Sequence, residues 1–211
     1  MFSIVIVSWK NLPYLKLLVK SIRRNSFYQD HQLLVHVQES CGATIDWLQS
    51  QGIAYTESDE NIGLSSAANL VSQKADRDYI CLIDDDMYVL PEWDEELIKF
   101  IERYGLRKCW VVSTMLERSG EYTVEASFGQ NFEEFEEARL LKRKFWYQNL
   151  IDPLINNSAL PGLIPRDLWR QIGGYDEDFP TVGSEIGLAK KLYDTGCRDL
   201  AITVPGSLVY H

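Results

Sequence analysis

With 211 residues, 45% of them hydrophobic and 25% charged, the chain is long enough for one well-buried α/β domain and short for two. A formal net charge of −10 argues against a general nucleic-acid binder, which needs a broad basic face, yet a local cation can still bring a nucleotide to an acidic protein. The four cysteines, Cys41, Cys81, Cys109 and Cys197, are spread out with no CxxC pair, so a reducing, cytoplasmic setting is expected in place of a disulfide framework or zinc site.

The opening MFSIVIVSW is too short to span a membrane and no basic residue precedes it as in a signal peptide. SIVIVSW reads as a strand buried on both faces. NLPYLKLLVKSI follows as a helix, with Leu15, Leu18, Val19 and Ile22 at helical spacing and Pro13 near its start. QLLVHVQES is a second strand, TIDWLQSQG a short helix stopped by Gly52, and IAYTES a third strand. NIGLSSAANLVSQ places Leu64, Ala67, Ala68 and Val71 on one helical face, YICLI is a fourth strand, and PEWDEELIKFIERYG a helix ended by Gly105. Such alternation predicts parallel strands joined by crossover helices, a doubly wound sheet in a single domain.

The second half is less regular. CWVVSTML is strand-like, NFEEFEEARLLKRKFWYQNLI charged and helical, and LINNSALPGLIPRDLW loop-like before a short helix. IGGYDEDF is a turn, SEIGLAKKLYDTG a helix that Gly196 terminates, and SLVYH a last strand.

The fourth strand runs straight into Asp84, Asp85 and Asp86. Adjacent carboxylates repel one another and raise each other's pKa unless a cation sits among them. Ligands of a doubly wound sheet bind beyond the carboxyl ends of its strands, where this run lies. If the segment stays extended, Asp84 and Asp86 point to one side and Asp85 to the other.

Four stretches in this order, FSIVIVSWKNLPYLKLLVKSI, ENIGLSSAAN, CLIDDDMYVLPEW and IGGYDEDFPTVGSEIGLAKKLYDTG, together resemble the inverting family-2 glycosyltransferases of the Rossmann-like GT-A fold. The resemblance implies one domain over 1–211, with nucleotide binding in about 1–115 and acceptor binding and catalysis in about 116–211. It implies a nucleotide-sugar donor, most simply a UDP-sugar, a glycan or lipid-linked acceptor, and a role in polysaccharide biosynthesis. Asp86 of the DxD motif would bind the metal, while Asp84 and Asp85 face ribose or a metal-bound water. His211, after a late strand, stands where many GT-A enzymes place a further metal ligand, and one imidazole among oxygens suits Mn2+ or Mg2+ better than zinc. A ligand at the final position also suggests a domain of a longer chain.

The resemblance further places Ser8, Trp9 and Asn11 at the base, and Gln38 or Glu39 where an aspartate often meets uracil. Asn61 and Gly63 open a helix whose amides suit phosphate or ribose oxygens, although capping by Asn61 accounts for them equally; Asn69 completes that motif. Glu185 takes the place of the catalytic base in a single displacement, although Ser184 precedes it where the family has an acid. Trp146 and Asn157 are expected near the acceptor, and the basic-aromatic run Lys142 to Tyr147 could touch a lipid surface at the inner face of the membrane. Two competing readings are a non-catalytic sugar-nucleotide or glycan-binding module, which the altered motif at Glu185 would suit, and a nucleotidyltransferase, which lacks its glycine-rich basic phosphate loop.

Overall fold

In the computed structural model, which describes residues 1–118, 123–150, 159–181 and 183–211, the strand-helix alternation expected for the first half is present in full. It runs β1 (Phe2–Ser8), α1 (Leu12–Asn25), β2 (Gln32–Val37), α2 (Gly42–Ser50), β3 (Ala54–Glu57), α3 (Gly63–Ser72), β4 (Tyr79–Asp84), a short β5 (Tyr88–Val89) and α4 (Trp93–Tyr104). The later elements are β6 (Cys109–Glu117), β7 (Val124–Glu125), α5 (Glu137–Leu150), β8 (Gly162–Pro165), α6 (Arg166–Ile172), α7 (Ser184–Asp194) and β9 (Asp199–Tyr210).

The strands form one sheet in the order β3-β2-β1-β4-β8-β6-β9-β5, with β7 beside β6. The β1–β2, β1–β4, β2–β3, β6–β7 and β6–β9 pairs are parallel. The mostly parallel, doubly wound architecture is the one expected from the alternation. Phe2, Ile4, Ile6, Leu34, Ile80 and Val111 are all fully buried, as a sheet covered on both sides requires. A smaller core of Tyr88, Leu116, Phe128, Leu140, Tyr147 and Leu208 lies apart from the main one.

Three second-half expectations need correction. Residues 162–165, read as loop, form β8, antiparallel to both β4 and β6. Four residues with glycine and proline at the ends have no readable period, but they fill the gap between two strands whose backbone groups would otherwise be unpaired. The charged helix begins at Glu137 and not at Asn131; Asn131 Oδ1 instead accepts the Glu134 amide at 3.0 Å, and Phe135 stacks on Tyr210 at 5.6 Å. The last strand is twelve residues long, and a register shift between Ser113 and Thr114 of its partner absorbs Pro205, Gly206 and Ser207.

The connection from α1 to β2 is fastened to α4 by Asp94, which is fully buried. Its carboxylate accepts the Phe27 and Tyr28 amides, both at 2.9 Å, and the His31 Nε2–H at 2.8 Å. Burial pushes its pKa up, but these hydrogen bonds outweigh burial and hold it below the ordinary 3.8. A carboxyl lowered on folding stabilises the fold above its ordinary pKa and loses that contribution as pH falls through the folded value. Asp94→Asn should therefore cost about 3 kcal/mol at neutral pH, and the gap to the parent should close as pH falls below the ordinary 3.8 and through the lowered folded value. Urea unfolding at neutral and at acid pH checks this, and equal midpoints at neutral pH would refute it.

Candidate active site

Strand β1 lies between β2 and β4, and the order of strands reverses there. The crevice beyond the carboxyl ends of β1 and β4 is where such a sheet binds a ligand. Val7 pairs with Asp84, so Ser8 and the three aspartates emerge side by side.

The strand ends at Asp84, and Asp85 and Asp86 form a turn in which the Met87 amide reaches back to the Asp84 carbonyl at 3.4 Å. Asp85 and Asp86 face different neighbours, and a turn, not the extended segment expected, separates them. Asp85 faces β1, where Asn11 Nδ2 donates to its Oδ1 at 2.9 Å. Burial pushes Asp85 up to about 6 against the pull of Ser8, Asn11 and the Trp9 amide. Its Oδ2 and the neighbouring Ser8 Oγ are buried without a well-formed hydrogen bond among the described residues. Ser8 is close enough to Asp85 to lower its pKa, yet neither atom gains a well-aligned bond, and buried polar atoms so poorly satisfied are costly unless a ligand completes them. Burial, then the charge of Asp86, pushes Asp84 up to about 6 as well, with Glu185 adding to the repulsion. Glu185, in the first turn of α7, is thus within electrostatic reach of Asp84.

Asp86 faces His211. Tyr88 pairs with Tyr210 on one side of β9, and Leu116 pairs with Tyr210 on the other. His211 follows directly, its amide donating to the Leu116 carbonyl at 2.9 Å. Its Nε2 lies 3.4 Å from Asp86 Oδ1 and its Nδ1 3.5 Å from Glu117 Oε2. The bond to Asp86 raises the His211 pKa to about 9. Burial pushes Asp86 up, but His211 outweighs burial and holds it below its ordinary value. Of the three histidines only His211 reaches this crevice: His31 is bound to Asp94, and His36 to Thr56 and Ser58.

The pair fits a hard divalent cation. Cis ligands at about 2.1 Å from an octahedral ion stand about 3.0 Å apart, close to the separation of Asp86 Oδ1 and His211 Nε2. Among the described residues no group of three or more His, Cys, Asp or Glu side chains is placed to hold a metal ion. Two protein ligands are what Mg2+ commonly takes, with water and substrate phosphate completing its shell. A cavity of about 230 Å3, lined in part by Tyr14, Arg118, Phe132 and Phe135, opens beside Asp86 and His211.

A family model for glycosyl transferase family 2 matches residues 3–150. The chain belongs to that family. The match includes the three aspartates and Glu117, while Glu185 and His211 lie beyond it. Among solved structures, S. aureus TarS 1–349 in complex with UDP superposes with a TM-score of 0.72 at 12% identity, covering 100% of this chain and 60% of that one. TarS 1–349 in complex with UDP-GlcNAc gives 0.69 at 12% identity, covering 100% and 58%. Longer TarS gives 0.67 at 12% identity, covering 99% and 36%. The fold is thus the GT-A fold, and this chain spans about 60% of the TarS 1–349 length. No curated protein sequence matches it.

Several residues that the family pattern marks have other partners here. Gln38 is buried and its Oε1 accepts the Ile62 amide at 2.7 Å. Glu39 pairs with Lys10, which stands 5.3 Å over the ring of half-exposed Trp9, and this lowers the Glu39 pKa. Asn61 Oδ1 accepts the Gly63 amide at 2.9 Å, and the Ser65 amide donates to Pro180 at 3.2 Å. Two amides expected to face phosphate are therefore already taken. Gly63 sits at φ +80, where a Cβ would lie 2.7 Å from the Pro180 carbonyl, so this position demands glycine for packing. Asn69, expected at the nucleotide, exchanges hydrogen bonds with Tyr175, accepting its amide at 2.8 Å and donating to its carbonyl at 3.1 Å. Trp146 is half exposed, and its ring contacts are with Arg143 and Tyr147 of the same helix. Asn157 lies outside the described residues.

Glu117 was not legible as a site residue, although it ends a central strand on the ligand side of the sheet, which is the signal that could have found it.

Asn69→Ala removes the lock between α3 and the 174–180 segment, including a bond to Glu177 at 2.8 Å. It should lower the unfolding free energy by about 2 kcal/mol, read as a fall in thermal midpoint; an unchanged midpoint would contradict this structural role.

Proposed function

We propose that the chain is the transferase domain of a metal-dependent, inverting glycosyltransferase that moves a sugar from a UDP-sugar to a hydroxyl of a glycan or lipid-linked acceptor. The observation that carries this reading is the joint placement of the Asp86–His211 pair and, on the same turn, the buried, incompletely hydrogen-bonded Asp85 Oδ2 with Ser8 Oγ. One half is suited to a cation with a diphosphate, the other to hydroxyl or amide groups of a nucleoside. Structures of TarS that hold UDP and UDP-GlcNAc on the same fold support uridine as the base.

In this reading Asp86 and His211 would hold Mn2+ or Mg2+, which would supply Lewis-acid offset of the charge on the leaving diphosphate. Asp84 stands beside them and orders water or ribose. Asp85, fixed by Asn11, and Ser8 receive the nucleoside, with exposed Trp9 at the mouth offering an aromatic face. Glu185 accepts the proton of the acceptor hydroxyl as its oxygen attacks the anomeric carbon. The bond from that carbon to the diphosphate breaks, its electron pair leaves with UDP, and the configuration inverts. Nucleotide binding falls mainly within about 1–115, and the later residues contribute the base and the second metal ligand.

The acceptor would lie on the side of Glu185. Among the described residues no helix is long and apolar enough to cross a membrane. A peripheral contact remains part of the proposal because Phe145, 77% exposed, and Trp146 lie beside Lys142 and Arg143 in a chain of net charge −10.

Asp86→Ala should lose both glycosyl transfer and donor hydrolysis, measured as UDP release with and without acceptor; full activity would sink the assignment. Glu185→Gln should lower kcat by about 100-fold or more while UDP binding, measured by calorimetry, stays unchanged. Undiminished transfer would remove Glu185 as the base, and a parent protein that binds UDP-sugars but never turns them over would favour the non-catalytic module.

A further inference from the structure

The proposed metal site leaves one carboxylate without a task. Glu117 ends β6 one step beyond Leu116, and His211 follows Tyr210, the partner of Leu116, in the parallel β6–β9 ladder. The strand register therefore makes Glu117 and His211 neighbours before any side-chain interaction is considered. The His211 amide is tied to the Leu116 carbonyl at 2.9 Å, which fixes the ring's origin. On the opposite edge of the ring from Asp86, Nδ1 faces Glu117 Oε2 at 3.5 Å, an ion-pair distance slightly longer than an ordinary N–H···O hydrogen bond. The other oxygen, Oε1, accepts the Thr123 hydroxyl at 2.7 Å, so the carboxylate is itself held in orientation.

A neutral imidazole carries its proton on one nitrogen only, and the hydrogen bond made by that nitrogen selects which one faces a metal. We propose that Glu117 is a positioning residue for the nucleotide-metal site: it accepts the Nδ1–H of His211 and so presents the Nε2 lone pair to the cation beside Asp86. Thr123 and the β6–β9 register keep Glu117 in place for this. The chain of contacts runs Thr123, Glu117, His211 and then Asp86, and only the last two face the cation. Such a carboxylate behind a ligating histidine fixes the ring and increases its basicity as a ligand. Glu117 lies behind the ring and is not itself a ligand. This inference rests on the metal-dependent reading above.

The test compares the parent, Glu117→Gln and Glu117→Ala by Mn2+ binding in the presence of UDP, followed by electron paramagnetic resonance, and by the His211 15N shifts of the diamagnetic Mg2+·UDP complex. The side-chain carbonyl of glutamine can still accept the Nδ1–H, whereas alanine cannot. Glu117→Ala should weaken Mn2+ binding by about 10- to 100-fold, Glu117→Gln should retain most of the affinity, and the parent should show an Nδ1–H tautomer. An alanine variant that binds Mn2+ as well as the parent would overturn the proposal, as would a glutamine variant that falls as far as alanine. The parent spectrum needs no variant to fold: an Nε2–H tautomer in the complex would overturn the proposal by itself. A parent that binds UDP equally well with and without metal would instead remove the metal reading on which the proposal stands, and Asp86→Ala, which should abolish Mn2+ binding in every case, separates the two failures.

Discussion

The pairing of the last residues of β9 between β5 and β6 is the constraint on which the rest depends. Tyr210 is matched to Tyr88 on one side and to Leu116 on the other, so His211 emerges among Asp86 and Glu117. These residues lie 125 and 94 positions away along the chain; only sheet register brings them together. A slip of one residue in β9 would turn the imidazole to the opposite face of the sheet. The core under that junction, with Tyr88, Leu116 and Leu208 buried together, holds the register by packing, and Phe135 stacked on Tyr210 adds an aromatic contact on the same residue.

Electrostatics then explains why an acidic protein can present this site at all. Burial and mutual repulsion push Asp84 and Asp85 up to about 6, so their charges are costly where they sit. His211, raised to about 9 by Asp86, carries a proton at neutral pH and offsets part of that cost. A divalent cation bound at Nε2 must displace this proton and supplies more charge in return. The site thus holds an arrangement that a packed apolar core would not choose, and the expense is borne by features such as the Asp94 network elsewhere in the fold.

Much of this was legible in the sequence. Continuous β-branched runs and helix faces specified β1 to β4 and α1 to α4, because each element there has a full period and clear stop signals. The run of aspartates was readable as a candidate ligand site from its position at the end of β4, and His211 became a candidate only through the resemblance to GT-A enzymes; what the structure adds is that Asp86 and His211 meet. Strand β8 was not legible, because four residues between two neighbours become a strand only through those neighbours. Glu117 was hidden for a related reason: its partnership with His211 is a consequence of β6–β9 register, which no local pattern encodes. Gln38 and Asn69 look like ligand-binding residues by type, yet their amides bond to Ile62 and to Tyr175 and Glu177. A polar side chain in a motif can satisfy buried backbone groups as readily as a ligand, and sequence alone does not distinguish the two.

In the proposed function, strand register builds one cation site from Asp86 and His211 and aims it at a nucleotide diphosphate. The most direct measurement is anomalous diffraction at the manganese edge from crystals grown with UDP and Mn2+. One strong anomalous peak within about 2.3 Å of both Asp86 Oδ1 and His211 Nε2 is expected. UDP bound in the crevice with no anomalous peak there, or a peak that touches neither residue, would contradict it.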